Sequence, residues 1–285
     1  MTDSRPSSPV RERPIVVAFR DQATGPAILR WAVARGTLTG HHVTVLHAIP
    51  DPSLIPPVAA GGTPYGSLIA AARQTLDEES RKVCADYPAA HVTANVHSGD
   101  IVDALVSLSA DASLIVVGAD RMDQRNGEYL GSVGQQVVLG SIAPVVVIPR
   151  DGPAVLPEAG AVVVGVDGSE ESLAALRAAA VEASSADRGL VVVTAVEGSA
   201  PDPFEDGKTQ EVFAGVQAAH PGLVLSQVVD RERAPTEALS FHAAGAYLLV
   251  IGRHGRGARP GILLGSVTHT LLLTPQCPTL VVTRR

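Results

Sequence analysis

Glycine and serine residues near the C-terminus have types and spacing that suit the binding of an anion. Gly252 and Gly255 are followed, after nine further residues, by the pair Gly265 and Ser266. Glycine allows backbone N–H groups to approach a phosphate closely, and the free N–H groups at the start of a helix favour negative charge. The pattern G-x2-G-x9-G-S therefore predicts a loop that holds a polyphosphate. The alternative that it leaves open is a flexible surface loop without a ligand.

The same frame occurs earlier in the chain in an altered form. Gly118 is followed by Arg121, where the second glycine would stand, and after nine more residues by Gly131 and Ser132. This earlier loop mixes acidic and basic residues, whereas the later loop has basic residues and no acid. Coulomb attraction alone then favours the later loop for a polyanion. Its basic side chains are Arg253, His254, Arg256 and Arg259.

An acid follows the first apolar run of the second half. Asp167 stands in the sequence GVDGS, where its carboxylate can accept hydrogen bonds from a nucleoside. The alternative is a helix cap, since Asp and Ser are favoured at helix N-termini. Arg20 occupies the matching place in the first half, and a guanidinium cannot accept a hydrogen bond. We therefore expect the first half to have lost nucleotide binding, while Arg20 and Arg121 either occupy its cleft or bind a different anion.

The candidate site residues can lie together only if the ends of several strands lie side by side. The sequence contains the strands and helices for such an arrangement twice. Short apolar runs alternate with helical segments, from 15–19 to 145–148 and again from 162–166 to 280–282. The alternation is typical of βαβ units and of a parallel, doubly wound α/β sheet, in which ligands bind beyond the carboxyl ends of the strands. We predict a disordered tail at 1–13, domains at 14–149 and 161–285, and a linker at 150–160.

Composition narrows the functional class. The chain has 285 residues, a net charge of −7 and only 3% aromatic residues, with no basic and aromatic platform for nucleic acid. Its apolar runs are too short to cross a membrane, and the N-terminus lacks the apolar core of a signal peptide. The two cysteines, Cys84 and Cys277, form no paired motif. These features favour a cytoplasmic protein that binds neither nucleic acid nor a membrane.

Motifs for catalysis and for metal binding are absent from the sequence. There is no G-x-S-x-G, H-E-x-x-H or Walker A sequence, and the first βα turn lacks G-x-G-x-x-G. The nine histidines have no spacing typical of a metal site. We therefore nominate no catalytic residue and no metal ligand.

In its glycine frames, its GVDGS segment and its final apolar strands, the chain resembles the universal stress protein family in its tandem form. The resemblance covers both halves. It implies two five-stranded parallel sheets of order 3-2-1-4-5, flanked by helices and paired through their last strands as a pseudo-dimer. It also implies ATP as the cofactor, with Mg²⁺ as its usual companion, a homodimer, and a protein partner that the sequence does not identify.

Carrying the family's ATP contacts over by position gives a site in the second half. Its residues are Gly165, Asp167, Ala195, Ile251, Gly252, Gly255, Gly265, Ser266 and Val267, with Arg253, His254 and Arg256 as further loop residues. The first half keeps three positions of the pattern and departs from it at two: it keeps Gly118, Gly131 and Ser132, and departs at Arg20 and Arg121. The implied function is a nucleotide-dependent regulator of stress response or dormancy. A slow ATPase or nucleotidyl-transferring enzyme and a nucleotide-free scaffold are the alternatives.

Overall fold

The computed structural model describes residues 13–54, 65–119, 133–150, 160–196, 203–256 and 263–283. Within these residues, strands and α-helices alternate through each half of the chain. The first half contains β1 (Ile15–Ala18), α1 (Gly25–Thr39), β2 (Val43–Ile49), α2 (Tyr65–Asp86), β3 (Val92–Ser98), α3 (Ile101–Leu108), β4 (Leu114–Gly118), α4 (Val133–Gly140) and β5 (Val145–Ile148).

The second half repeats this series. It contains β6 (Val162–Gly165), α5 (Glu170–Ser185), β7 (Leu190–Ala195), α6 (Gly207–Ala219), β8 (Leu225–Asp230), α7 (Pro235–Ala243), β9 (Leu248–Gly252), α8 (Ser266–Leu273) and β10 (Thr279–Val282). All but the last residue of the predicted tail, and most of the predicted linker, lie outside the described residues.

One ten-stranded sheet joins the two halves, in the order β3-β2-β1-β4-β5-β10-β9-β6-β7-β8. Neighbouring strands are parallel within each half, whereas β5 and β10 pair antiparallel at the centre. The predicted fold is confirmed, because each half has the order 3-2-1-4-5 and the halves meet through their last strands. Among the described residues, β3 and β8 are the outermost strands of the sheet.

Alternate residues of the central strands enter two cores, one on each face of the sheet. Ile15 and Val17 belong to the core that packs against α1, α2, α5 and α6. Val16 and Ala18 belong to the core that packs against α3, α4, α7 and α8. Because both faces of these strands are buried, the strands consist mostly of Val, Ile and Leu, with Ala, Gly or Thr only at strand ends. The helices thereby hold the strand ends in place, and those ends carry the candidate site.

Candidate functional site

The ends of β6, β7 and β9 form a crevice in the second half. β6 pairs in parallel with β7 on one side and with β9 on the other, while the chain runs on from β6 to β7 and from β9 to β10. The strand order thus reverses between β6 and β9, and doubly wound sheets bind ligands at such a point. The structure brings four predicted residues together at these strand ends: Gly165, Ala195, Ile251 and Gly252.

Asp167 connects this crevice to the glycine loop. Its Oδ1 accepts a hydrogen bond from the Ser169 N–H at 2.9 Å, and its Oδ2 accepts one from the Arg256 N–H at 2.7 Å. Burial alone would raise the pKa of Asp167, but the hydrogen bonds from Ser169 and Arg256 outweigh it and lower the pKa below its ordinary value. The carboxylate is therefore ionised at neutral pH and is a strong acceptor.

Gly255 lets the loop close onto that carboxylate. A Cβ atom at position 255 would overlap Asp167 Oδ2, so a larger residue would push the loop and the carboxylate apart. The next side chain, Arg256, passes over Gly168, and its Nη2 is 2.9 Å from where a Gly168 Cβ would stand. The sequence pattern assigned Gly255 to the approach of a phosphate. The structure gives this glycine a further role, in packing the loop against Asp167.

The other end of the loop is fastened at the start of α8. The Gly265 N–H donates to Arg253 O at 2.9 Å, and the buried Thr268 Oγ1 donates at 2.8 Å to the carbonyl oxygen that ends β9. No side chain in the described part of the chain caps this helix. The first turn of this helix, at Ser266 and Val267, therefore has N–H groups that no described side chain caps, and such groups suit an anion.

Glu171 is a residue of this site that the sequence motifs did not indicate. Its carboxylate accepts a 2.6 Å hydrogen bond from the His254 N–H and lies 3.3 Å from His254 Nδ1. Glu171 belongs to the first turn of α5, where an acid also suits the helix dipole. His254 Nε2 is buried and has no hydrogen-bond partner among the described residues. Glu171 thus orients the imidazole at the base of the glycine loop.

Arg253 lies near Glu171 and also reaches the first half of the chain. Its Nη2 donates to Ser141 O of the first half at 2.9 Å. A second bond crosses between the halves close by, from Thr283 Oγ1 to Ile142 O at 2.6 Å. The structure thus gives Arg253 a contact between the halves that the sequence pattern did not predict.

The first half contains a cavity of about 220 Å³ between the ends of β1 and β2 and the helix α2. Arg20 lies at its edge with 70% of its side chain exposed, and its Nε is 3.9 Å from Asp21 Oδ2. Arg20 therefore borders the cleft and does not fill it. Arg121, Gly131 and Ser132 lie outside the described residues. The residues that line the cavity are Phe19, Arg20, Asp21, Gln22, His47, Ala72, Thr75 and Leu76.

The glycines that end β4 and β9 have a packing function. A Cβ at Gly118 would stand 2.6 Å from Ile28 Cδ1 of α1, and a Cβ at Gly252 would stand 3.0 Å from Glu171 Cβ of α5. A larger residue at Gly118 would displace the end of the Ile28 side chain, and one at Gly252 would press on Glu171, including its backbone carbonyl carbon at 3.1 Å. Part of the repeated glycine frame therefore reflects the packing of α1 and α5 on the sheet.

Other chemical groups in the described part of the chain are less suited to a site. No three His, Cys, Asp or Glu side chains there are grouped so that they could hold a metal ion. Burial raises the pKa of the Cys277 thiol to about 12, so this cysteine stays protonated. The structure also contains, within its described residues, no helix that combines the length and the apolar character needed to span a bilayer.

Two segments of the chain, residues 12–149 and 159–283, match the universal stress protein family. The chain belongs to that family. Each half carries its own match, so this universal stress protein contains the domain in tandem, in agreement with the repeated element order.

Similar proteins extend the comparison along most of the chain. A universal stress protein of Mycobacterium tuberculosis is 33% identical over 237 residues, which cover 76% of this chain and 74% of the relative. Another from the same organism is 30% identical over 288 residues, covering 94% of this chain and 95% of the relative. A universal stress protein structure from Archaeoglobus fulgidus has a TM-score of 0.67 at 17% identity, covering 95% of this chain and 98% of that one. This last likeness concerns the fold.

Proposed function

We propose that this universal stress protein binds ATP in the crevice of its second half and acts as a nucleotide-dependent regulator of stress response or dormancy. One observation carries the proposal. An ionised acceptor, Asp167, and a helix start at Ser266 that no described side chain caps lie at opposite ends of a single glycine loop. The acceptor suits the hydroxyl groups of a nucleoside, and the helix start suits a chain of phosphates.

In this proposal the nucleoside lies against the strand ends and the phosphates lie along the loop. Gly165 and Ala195 border the nucleoside on the side of Asp167, and Ile251 and Gly252 border it on the side of β9. A ribose hydroxyl then donates to Asp167, whose Oδ2 already accepts from the loop. Nucleotide binding would therefore affect the loop, because the ribose and the Arg256 N–H would share the Asp167 carboxylate as acceptor.

The phosphates are assigned to the N–H groups of the loop and of α8. Gly255 and Gly265 allow the backbone to approach them, Ser266 and Val267 donate from the first helical turn, and Arg256 supplies positive charge. Mg²⁺ would neutralise part of the phosphate charge when bound with ATP.

We infer that ATP occupies one site per chain. Arg20 stands in the first half where Asp167 stands in the second, and a guanidinium offers a nucleoside hydroxyl no acceptor. The first half therefore carries the positive charge of Arg20 where the second crevice carries the negative charge of Asp167.

A slow ATPase is the second candidate, and the His254–Glu171 contact favours it. A carboxylate that orients an imidazole is a common arrangement for a general base, and this one lies at the base of the loop assigned to phosphate. Phosphate release that falls at least tenfold in His254→Asn, with ATP affinity retained, would support this candidate. Release no faster than that of a loop variant would support the regulator.

Calorimetric titration of the full chain with ATP and Mg²⁺ tests the main proposal. We expect about one site per chain. Gly255→Asp should abolish binding, because its side chain collides with Asp167 and adds negative charge beside the phosphates. Arg20→Ala is the matched control in the first crevice and should leave binding unchanged. Two equivalent sites, no binding, or binding that survives Gly255→Asp would each contradict the proposal, provided circular dichroism shows the variants folded.

A further inference from the structure

The central strand pair by itself does not distinguish one half from the other. β5 and β10 are antiparallel, and Val146, the second residue of β5, pairs with Leu280, the second residue of β10. An approximate two-fold axis therefore passes between these two residues. The strands read VVVI and TLVV, and both are almost entirely apolar. Two first halves from separate chains could pair through such strands equally well.

Strand register defines which residues of the two halves are equivalent. Ile15 of β1 aligns with Val43 of β2, and Val162 of β6 aligns with Leu190 of β7. Both members of the second pair lie 147 residues after those of the first, since 162 − 15 and 190 − 43 are each 147. Positions on α1 and α5, which connect these strands, are therefore equivalent when they are 147 residues apart.

Arg35 of α1 and Glu182 of α5 are such a pair, and they bind each other. The Arg35 guanidinium donates from Nη2 to Glu182 Oε1 across the contact between the halves. Their side chains are only 15% and 10% exposed. Burial raises the pKa of the Glu182 carboxyl and the charge of Arg35 opposes the rise, so each ion depends on the other in this position.

The approximate two-fold symmetry means that this ion pair determines which halves can pair. If two first halves met in the same geometry, Arg35 would face a second Arg35, and if two second halves met, Glu182 would face a second Glu182. Like charges held at low exposure repel strongly, because little water lies between them. Only a first half against a second half places opposite charges together.

A difference in side-chain size supports the same selection. Trp31 and Ala178 are also 147 residues apart, one helical turn before Arg35 and Glu182 respectively. Trp31 is 4% exposed, and Ala178 packs against the same core cluster on this face of the sheet. A pair of identical halves would bring either two tryptophans or two alanines to this cluster, and so either more or less side-chain volume than it holds here.

We propose that Arg35 and Glu182, assisted by Trp31 and Ala178, make this surface selective for the complementary half of such a chain and exclude a second copy of the same half. A buried ion pair adds little to stability compared with apolar packing, and its best-attested role is to fix which partners meet. Any assembly of several chains would then use other surfaces. The inference does not depend on nucleotide binding.

Charge reversal in the full chain tests this selectivity. Arg35→Glu places two acids in contact and Glu182→Arg places two bases in contact, so we expect each to lower the melting temperature by about 5–10 °C. The double reversal, Arg35→Glu with Glu182→Arg, should recover most of the loss. A double reversal that is no more stable than the single variants would overturn the proposal.

Mixing the two single variants gives a test that does not require either to fold well alone. The Arg35→Glu chain carries acids at both positions and the Glu182→Arg chain carries bases at both. When the first half of each chain pairs with the second half of the other, every contact joins an acid to a base. After refolding together, they should form a 1:1 complex of twice the chain mass, measured by light scattering, with a melting temperature near that of the native chain. The species of twice the chain mass should not become more abundant when either variant is refolded alone or when the native chain is treated in the same way. Equal abundance in all four samples would contradict this selectivity.

Discussion

Asp167 is the residue through which acidification should reach the second crevice. Its folded-state pKa lies below the ordinary value of 3.8. Its contribution to stability is therefore complete above that value and is lost as the pH falls through the folded pKa. Urea unfolding of the native chain and of Asp167→Asn should show a constant difference in the free energy of unfolding around neutral pH, shrinking below about pH 4. A difference that widens on acidification would mean that the Asp167 carboxylate is not held by these hydrogen bonds.

The two cysteines should differ sharply in reactivity. Cys277 is 3% exposed and its pKa is raised to about 12, whereas Cys84 is partly exposed on α2. Because the thiolate is the reactive form, a thiol reagent at about pH 8 should label Cys84 and spare Cys277 until the protein unfolds. Mass spectrometry of the labelled peptides measures this, with Cys84→Ser as the control that should leave the folded chain unlabelled. Labelling of Cys277 at the rate of Cys84 would show that β9 and β10 open readily.

Among the elements, α8 is joined to β9 by the Thr268 hydroxyl as well as by the apolar packing of Leu271 and Leu272. Thr268 is buried and its Oγ1 donates to Gly252 O, so Thr268→Val leaves that carbonyl with one bond fewer. We expect a loss of about 1–2 kcal/mol in the free energy of unfolding. Thr270→Val is the matched control, because Thr270 makes its bond to Ser266 O on the exposed side of the same helix. Equal losses in the two variants, measured by urea unfolding, would contradict this account of the loop.

The elements could be read from the sequence because their signals are local. Runs such as 162–166 and 280–282 alternate with helical segments, and that alternation, together with the family resemblance, predicted the sheet order that the structure confirms. Contacts between distant residues left no comparable signal. Glu171 meets His254 across 83 positions, and Arg253 meets Ser141 across 112. No local pattern records such a pairing, so the sequence indicated neither the role of Glu171 nor the bond from Arg253 to Ser141.

At the scale of the whole molecule, the continuous sheet should make the two halves unfold together. Trp31 is the single tryptophan and lies in the first half, whereas ATP is assigned to the second. We expect saturating ATP to raise the midpoint of thermal unfolding seen by Trp31 fluorescence as much as the midpoint seen by circular dichroism, because a ligand stabilises the whole cooperative unit. Asp167→Ala should remove both shifts. If ATP raised the circular dichroism midpoint and left the fluorescence midpoint unchanged, the two halves would unfold independently.

The strands at the two margins of the sheet have a different character from those at its centre. β3 reads VTANVHS and β8 reads LSQVVD, with polar side chains among the apolar ones, while the apolar strands β5 and β10 are covered by each other. Mixed polar margins discourage the addition of a further strand from another chain. The sheets of separate chains should therefore not join edge to edge. A rise in protein concentration should increase the number of separate molecules and should not lengthen the sheet.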